Sequence, residues 1–250
     1  MMLLPARDVI SHYSDPRIAE AFHADRYGGP VGALFLSQET RQFHALACRF
    51  PHPRIVVDLG AGTGKLADTI GEGARYVAMD RSAEMLRVLR ARRTSTPLVA
   101  GDAHTLPFRS KSVDVLVASR LLMHLADWRT AVAETCRVAR CAVIVDFPVS
   151  PSFAALEPGV WSLCRRDSHP RHRVFSVADM RRAFAAAGFL PVDSRRGFVL
   201  PYRLHRFVGS PRFSRAIESV ATRLGLAHLI GSPAFVAFVP TSAAGDGGVT

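Results

Sequence analysis

The sequence predicts an α/β fold, a Rossmann-like sheet with helices on both faces. Three observations carry that expectation. The run Ile55-Val56-Val57-Asp58-Leu59 is almost continuously apolar around one acid, the pattern of a parallel strand covered on both sides. Gly60-Ala61-Gly62-Thr63-Gly64 follows at once, and its alternating glycines let the backbone turn sharply and approach a ligand closely. A second strand, Arg75 to Asp80, ends in an acid about 20 residues beyond that turn, the distance expected in a βαβ unit.

The other elements follow in chain order. Residues 8–50 read as helical with breaks: a short helix from Asp15-Pro16 through about His23, then a longer amphipathic one from Gly32 to Phe50. The apolar positions Phe35, Leu36, Phe43, Leu46 and Ala47 recur along the second, and Pro51 and Pro53 end it. A helix is expected from Lys65 to about Gly71. Ser82 caps another that carries Met85, Leu86, Val88 and Leu89. Leu98–Ala100, Val113–Ser119 and Ala142–Phe147 read as strands, and Ser176 caps a helix that Gly188 stops. Phe189–Val192, with a second stretch at Phe198–Leu200, is the sixth strand, and Ala234–Val239 the last. Residues 202–231 between them read as a helical insertion. Its apolar residues Phe207, Phe213, Ile217, Val220 and Leu224 are expected on a buried face, with Arg203, Arg206, Arg212, Arg215 and Arg223 outward. A single domain over 1–240 is expected, with N-terminal helices at 1–53, a core at 54–147 and a C-terminal half at 148–240; 241–250 reads as a disordered tail.

Composition narrows the class. The chain of 250 residues is 48% hydrophobic and 21% charged, which is globular, and no apolar run approaches a membrane span. Met1 to Pro5 is too short for a signal peptide and lacks a basic start. Cys48, Cys136, Cys141 and Cys164 form no metal-binding spacing, so free thiols in a reducing cytoplasm are expected, and no metal. The net charge of +11 is carried almost wholly by arginine, Lys65 and Lys111 being the only lysines. Twelve arginines face three acids between Trp161 and Arg215, which fits either an anionic partner or a solvated basic face.

The glycine turn excludes one nucleotide site and weakens another. A P-loop needs glycine where Leu59 sits and Ser or Thr where Leu66 sits, and the dinucleotide fingerprint needs glycine where Lys65 sits. What remains, acid-x-Gly-x-Gly-x-Gly, resembles the first motif of the class I S-adenosylmethionine (SAM) dependent methyltransferases. Further on, Gly101-Asp102-Ala103, Leu106-Pro107-Phe108 and Val113-Asp114-Val115-Leu116-Val117 match the ubiquinone/menaquinone methyltransferase-like (type 11) group. So do Leu122-Met123-His124-Leu125-Ala126-Asp127-Trp128 and Glu134-Thr135-Cys136-Arg137-Val138, and the likeness covers about 55 to 147. It departs where the family's Gly-Gly turn is replaced by Arg140-Cys141.

The resemblance implies a seven-stranded class I methyltransferase sheet with its last strand antiparallel, an N-terminal helical lid and the insertion before the last strand. It implies SAM as cofactor and S-adenosylhomocysteine as product. Asp58, Gly60, Ala61, Gly62 and Thr63 would belong to the cofactor site, Thr63 and the glycines lining the methionine moiety. Asp80 and Arg81 would flank the ribose, Asp102 and Ala103 the adenine, and Ser119 the methyl-donor pocket. Asp80 also reads as a helix N-terminal charge.

The cofactor carries the hard chemistry, so catalytic residues are less legible than binding ones. His124, Asp146, Arg120, Tyr13 and Tyr27 are candidates at strand ends or under the lid, and Arg26 for the SAM carboxylate. His124 reads equally as a hydrogen-bonded helix-start histidine. The expected function is methyl transfer to a small or lipid-like acceptor, anionic or met at a peripheral membrane contact. The alternatives are an RNA methyltransferase and a non-catalytic SAM-binding protein.

Overall fold

Alternation along β1 (Ile55–Leu59) sends Val57 and Leu59 into one core and Val56 into another, so both faces of the strand are dry. The structure is a computed structural model and describes residues 11–50, 52–70, 73–152 and 173–244. Around β1 it builds a seven-stranded sheet in the order β3-β2-β1-β4-β5-β7-β6. β2 (Arg75–Asp80), β3 (Leu98–Ala100), β4 (Val113–Ala118) and β5 (Ala139–Phe147) pair in parallel, while β7 (Ser232–Pro240) runs antiparallel between β5 and β6 (Phe189–Phe198). This is the Rossmann-like class I methyltransferase sheet that the sequence led us to expect.

Helices α1 (Pro16–Tyr27) and α2 (Gly29–Ala47) precede the sheet. The Asp15 carboxylate caps α1 by accepting the Arg17 N–H at 2.8 Å. Phe43 and Leu46 of α2 pack on the face that holds Val56, Val117 and Ile144. The opposite face is covered by α4 (Trp128–Val138) and α5 (Val177–Ala186), through Trp128, Val132, Met180 and Phe184. α3 (Ala83–Arg92) follows β2 and packs Leu89 against Ala78; it is capped by Ser82, whose Oγ accepts the Met85 N–H at 3.1 Å.

Several expectations are corrected. α1 runs to Tyr27, α2 starts at Gly29, and β5 begins at Ala139 directly after α4, without a turn. β6 is one strand with a register shift between Pro191 and Asp193. The helix expected from Lys65 is absent; residues 62–69 form successive turns. Gly62 and Gly64 have φ of 54° and 83°, so no helix can begin before Lys65. Beyond it the chain closes only turns, with the Thr69 and Ile70 N–H groups both on the Leu66 carbonyl at 2.9 and 3.0 Å.

The insertion is helical, as α6 (Tyr202–Val208), α7 (Pro211–Arg223) and α8 (Leu226–Ile230), and Arg206, Arg212, Arg215 and Arg223 are exposed as expected, but the apolar residues expected on its buried face are largely exposed too. α7 buries Ser214, Glu218 and Ala221 and leaves Phe213 and Val220 exposed. Hydrogen bonding sets that orientation. Buried His205 has Nδ1 2.9 Å from Ser214 Oγ and Nε2 2.9 Å from Glu218 Oε1, and the Glu218 carboxylate accepts the N–H groups of Val199 (2.8 Å) and Leu200 (3.0 Å). Among the described residues no helix is long and apolar enough to cross a membrane. Residues 241–244 form a short helix, α9 (Thr241–Ala244), and the rest of the expected tail lies outside the described residues.

Candidate functional site

In an open parallel sheet, ligands gather where strand order reverses, at the carboxyl ends of the strands. Here that point lies between β1 and β4. The glycine turn leaves β1 there, with the N–H groups of Gly60 and Ala61 bound to the Met79 carbonyl at 2.8 and 3.0 Å. A Cβ on Gly62 would meet nothing within 4 Å, whereas one on Gly64 would strike Leu89. The turn is therefore packed behind and open in front.

Asp80, at the end of β2, takes the Gly62 N–H on Oδ2 and the Ser82 N–H on Oδ1, both at 2.8 Å. Burial raises its pKa against the N–H groups of Ser82, Gly62 and Arg81. A carboxylate has about four acceptor positions, so capacity remains for a ligand. Asp58 is buried beneath the turn, and Tyr76 donates its hydroxyl to Oδ2 at 2.6 Å; Oδ1 has no hydrogen-bond partner among the described residues. Burial pushes Asp58 up to about 6, with the Tyr76 bond and Lys65 acting against it. Asp102 takes the His104 N–H at 2.9 Å, lies 2.6 Å from His104 Nδ1, and is paired with Arg81 at 2.8 Å. Burial works against its ionisation, but His104 and Arg81 together hold the carboxyl below the usual range. Ala103 is buried beside it. The side chain of Thr63 is buried, and its carbonyl accepts from Arg92 at 3.0 Å. Ser119, just past β4, is buried with no hydrogen-bond partner for Oγ among the described residues.

Glu39, which the sequence reading did not single out, and Arg120, which it did, hold this end together. Glu39 of α2 is 2% exposed. It bonds to Lys65 Nζ at 2.9 Å, pairs with the Arg120 guanidinium, and accepts from Tyr27 Oη at 3.3 Å. Burial opposes ionisation of Glu39, yet Arg120, Lys65 and Arg26 outweigh it and hold the carboxyl well below its ordinary value. Arg120, with φ of 58°, donates its N–H to Asp146 Oδ1 at 2.5 Å, and its Nε lies 3.6 Å from Oδ2. The signal was available: Phe35, Glu39 and Phe43 sit four apart, so an acid interrupts the core-facing stripe of an amphipathic helix.

The other candidates fall around the same end. Tyr13 packs edge-on to His124 with ring centroids 5.7 Å apart, and its carbonyl accepts the Ser82 hydroxyl at 2.7 Å. Burial raises the Tyr13 hydroxyl, opposed by Arg26 and Arg120. His124 closes a single 3-10 turn, Leu122–His124, beyond Arg120. Arg26 has its guanidinium carbon 5.7 Å from the Tyr202 ring centre. The structure thus brings Tyr13, Tyr27, Asp80, Arg120 and Asp146 to one region, with Asp102 and Arg81 paired to one side.

Residues 57–142 match the family described as "Methyltransferase domain". A demethylmenaquinone methyltransferase of Thermobifida fusca is 37% identical over 154 residues, covering 55% of this chain and 65% of that one. An uncharacterized methyltransferase of Mycobacterium tuberculosis is 37% identical over 116 residues, 46% of this chain and 47% of that one. The chain thus spans less than two thirds of either relative. Among solved structures, the magnesium protoporphyrin IX methyltransferase of Synechocystis, with bound SAH, aligns with a TM-score of 0.67, covering 94% of this chain and 100% of that one. At 12% identity that likeness is one of fold.

Two outcomes follow from the buried charges. Glu39→Gln keeps the shape but leaves Lys65 and Arg120 facing a neutral group, and should destabilise the protein by about 3 kcal/mol or more. Urea unfolding measures this, and an unchanged midpoint would remove the cluster from any stabilising role. Asp58 titrates higher in the folded state than its ordinary 3.8, so its contribution is greatest below that value and is lost as pH rises through about 6. Asp58→Asn should therefore gain stability relative to wild type between about pH 4 and pH 7, by on the order of 1–3 kcal/mol. Parallel thermal melts at the two ends of that range, showing no change in the difference, would contradict the assignment.

Proposed function

We propose that this chain, a class I SAM-dependent methyltransferase in fold and in the domain it matches, methylates a small or lipid-like acceptor. One observation supports the reading most. The Asp80 carboxylate holds the Gly62 N–H, so acid and glycine turn meet at the point where the sheet reverses its strand order. The residues present fit SAM. Gly62 faces open space, Asp80 keeps acceptor capacity for ribose hydroxyls, and Ser119 Oγ, without a hydrogen-bond partner among the described residues, offers a polar contact at the end of β4. Thr63 and the glycines would line the methionine half, and Asp102 and Ala103 the adenine. Arg81 would act from its pairing with Asp102.

When bound, SAM supplies a methyl group already activated on a cationic sulfur for in-line displacement. The task of this chain is then to orient the acceptor and exclude water. Tyr13 lies over His124 and is tied to Ser82, so the N-terminal segment would roof the acceptor side. Where the acceptor must lose a proton, His124 is the group we assign to take it. Asp146 is less suited, because both its oxygens face Arg120. The name of the Thermobifida relative favours a lipid-like acceptor. Cys48, Cys136 and Cys141 are free thiols, in keeping with a cytoplasmic setting.

Calorimetry and turnover separate the two halves of the proposal. Asp80→Ala should weaken SAM binding roughly tenfold or more, since it removes a charged hydrogen-bond acceptor. His124→Ala should leave SAM affinity unchanged while lowering turnover about 100-fold, if a proton is transferred. Wild-type affinity in the first variant would sink the ribose assignment. Wild-type turnover in the second would return His124 to a structural role.

A further inference from the structure

The insertion before β7 presents apolar side chains to solvent where an amphipathic helix ordinarily buries them. Along α7, Phe213, Ile217, Val220 and Leu224 recur at i, i+4, i+7 and i+11, one narrow stripe of a helix with 3.6 residues per turn. Phe213 and Val220 are exposed, and Leu224, just past the helix, is 69% exposed. The neighbouring helices add Phe207 at 87% and Leu229 at 67%. Exposed large apolar side chains recurring on three successive helices point to an interaction surface.

The polar network beneath α7 makes this arrangement definite. Ser214 and Glu218 face inward because His205 and the N–H groups of Val199 and Leu200 hold them there, and the stripe is turned outward as a result. Rolling the helix to bury its apolar side would leave a carboxylate and an imidazole unsatisfied, a cost that opposes the burial gained.

The charge around the stripe identifies its partner. Residues 202–231 contain five arginines and one acid, Glu218, which is buried. Arg212, Arg215 and Arg223 are exposed and make no ion pair among the described residues. Apolar and aromatic side chains flanked by unpaired guanidinium groups are the composition of helices that lie in the headgroup region of an anionic bilayer. We propose that α6, α7 and α8 form a docking surface for anionic membrane, with Phe207, Phe213, Val220, Leu224 and Leu229 entering the interface and Arg212, Arg215 and Arg223 contacting lipid headgroups. The proposal is independent of the acceptor, because a methyltransferase with a freely diffusing substrate can also be held at a membrane.

The test is flotation of the full chain with phosphatidylcholine vesicles, with and without phosphatidylglycerol at roughly one lipid in three. Binding is expected to the anionic vesicles and to fall at least tenfold in Phe207→Ser/Leu224→Ser. Each Arg→Gln change at 212, 215 or 223 should reduce it about fivefold, and added salt should weaken it. These side chains are exposed, so wild-type melting curves are expected throughout. A Phe207→Trp reporter gives a second reading: its emission should shift to the blue with anionic vesicles and be quenched by brominated lipid. Failure to float, equal flotation with neutral vesicles, or an unquenched reporter would overturn the proposal. So would a dimer in sedimentation velocity that the Phe207/Leu224 changes dissociate, because the stripe would then be an interface between copies.

Discussion

The buried carboxylate of Glu39 is the interaction on which the rest of the site depends. It draws together an N-terminal helix, the turn after β1 and the loop after β4, three segments far apart in the chain. Removing two cations and an anion from water is costly, and the cost is offset only when each charge meets another at close range. Lys65 and Arg120 meet Glu39 in this way, and Asp146 meets Arg120 from behind. Helix α2 is thereby tied to the carboxyl ends of β1 and β4 by paired charges as well as by apolar packing.

The sheet was largely legible because its physics is local. Val56, Val57, Val115, Leu116 and Ile144 lie in runs that suit only strands covered on both faces, and the glycine turn needs residues able to take positive φ. The acids at strand ends could be read for the same reason. The Glu39 contact was not legible, since no local rule tells an acid on a helix which distant cations will surround it. Its place in the stripe of Phe35 and Phe43 was the one available sign.

The two misread helices fail for opposite reasons. After Gly64 the local residues favour a helix, but positive φ at Gly62 and Gly64 delays any start and the chain closes only turns before Gly71. In α7 the period was read correctly, but the side assigned to the core was wrong. Hydrophobic periodicity identifies a face without saying what it faces, and here hydrogen bonds from His205, Val199 and Leu200 decided the matter. A sequence reading that counts only apolar residues cannot weigh a polar network assembled from three separate elements.

The left-handed backbone at Arg120 has a consequence for binding kinetics. A non-glycine residue with φ of 58° is held in a conformation that costs on the order of 1 kcal/mol, and the bond from its N–H to Asp146 keeps it there. That ordering is completed when the chain folds, before any ligand arrives. On the site proposed above, a molecule entering beside Ser119 would meet this loop already ordered and would not have to organise it. Its rate of arrival would then be governed by diffusion, with little delay from rearrangement of the loop.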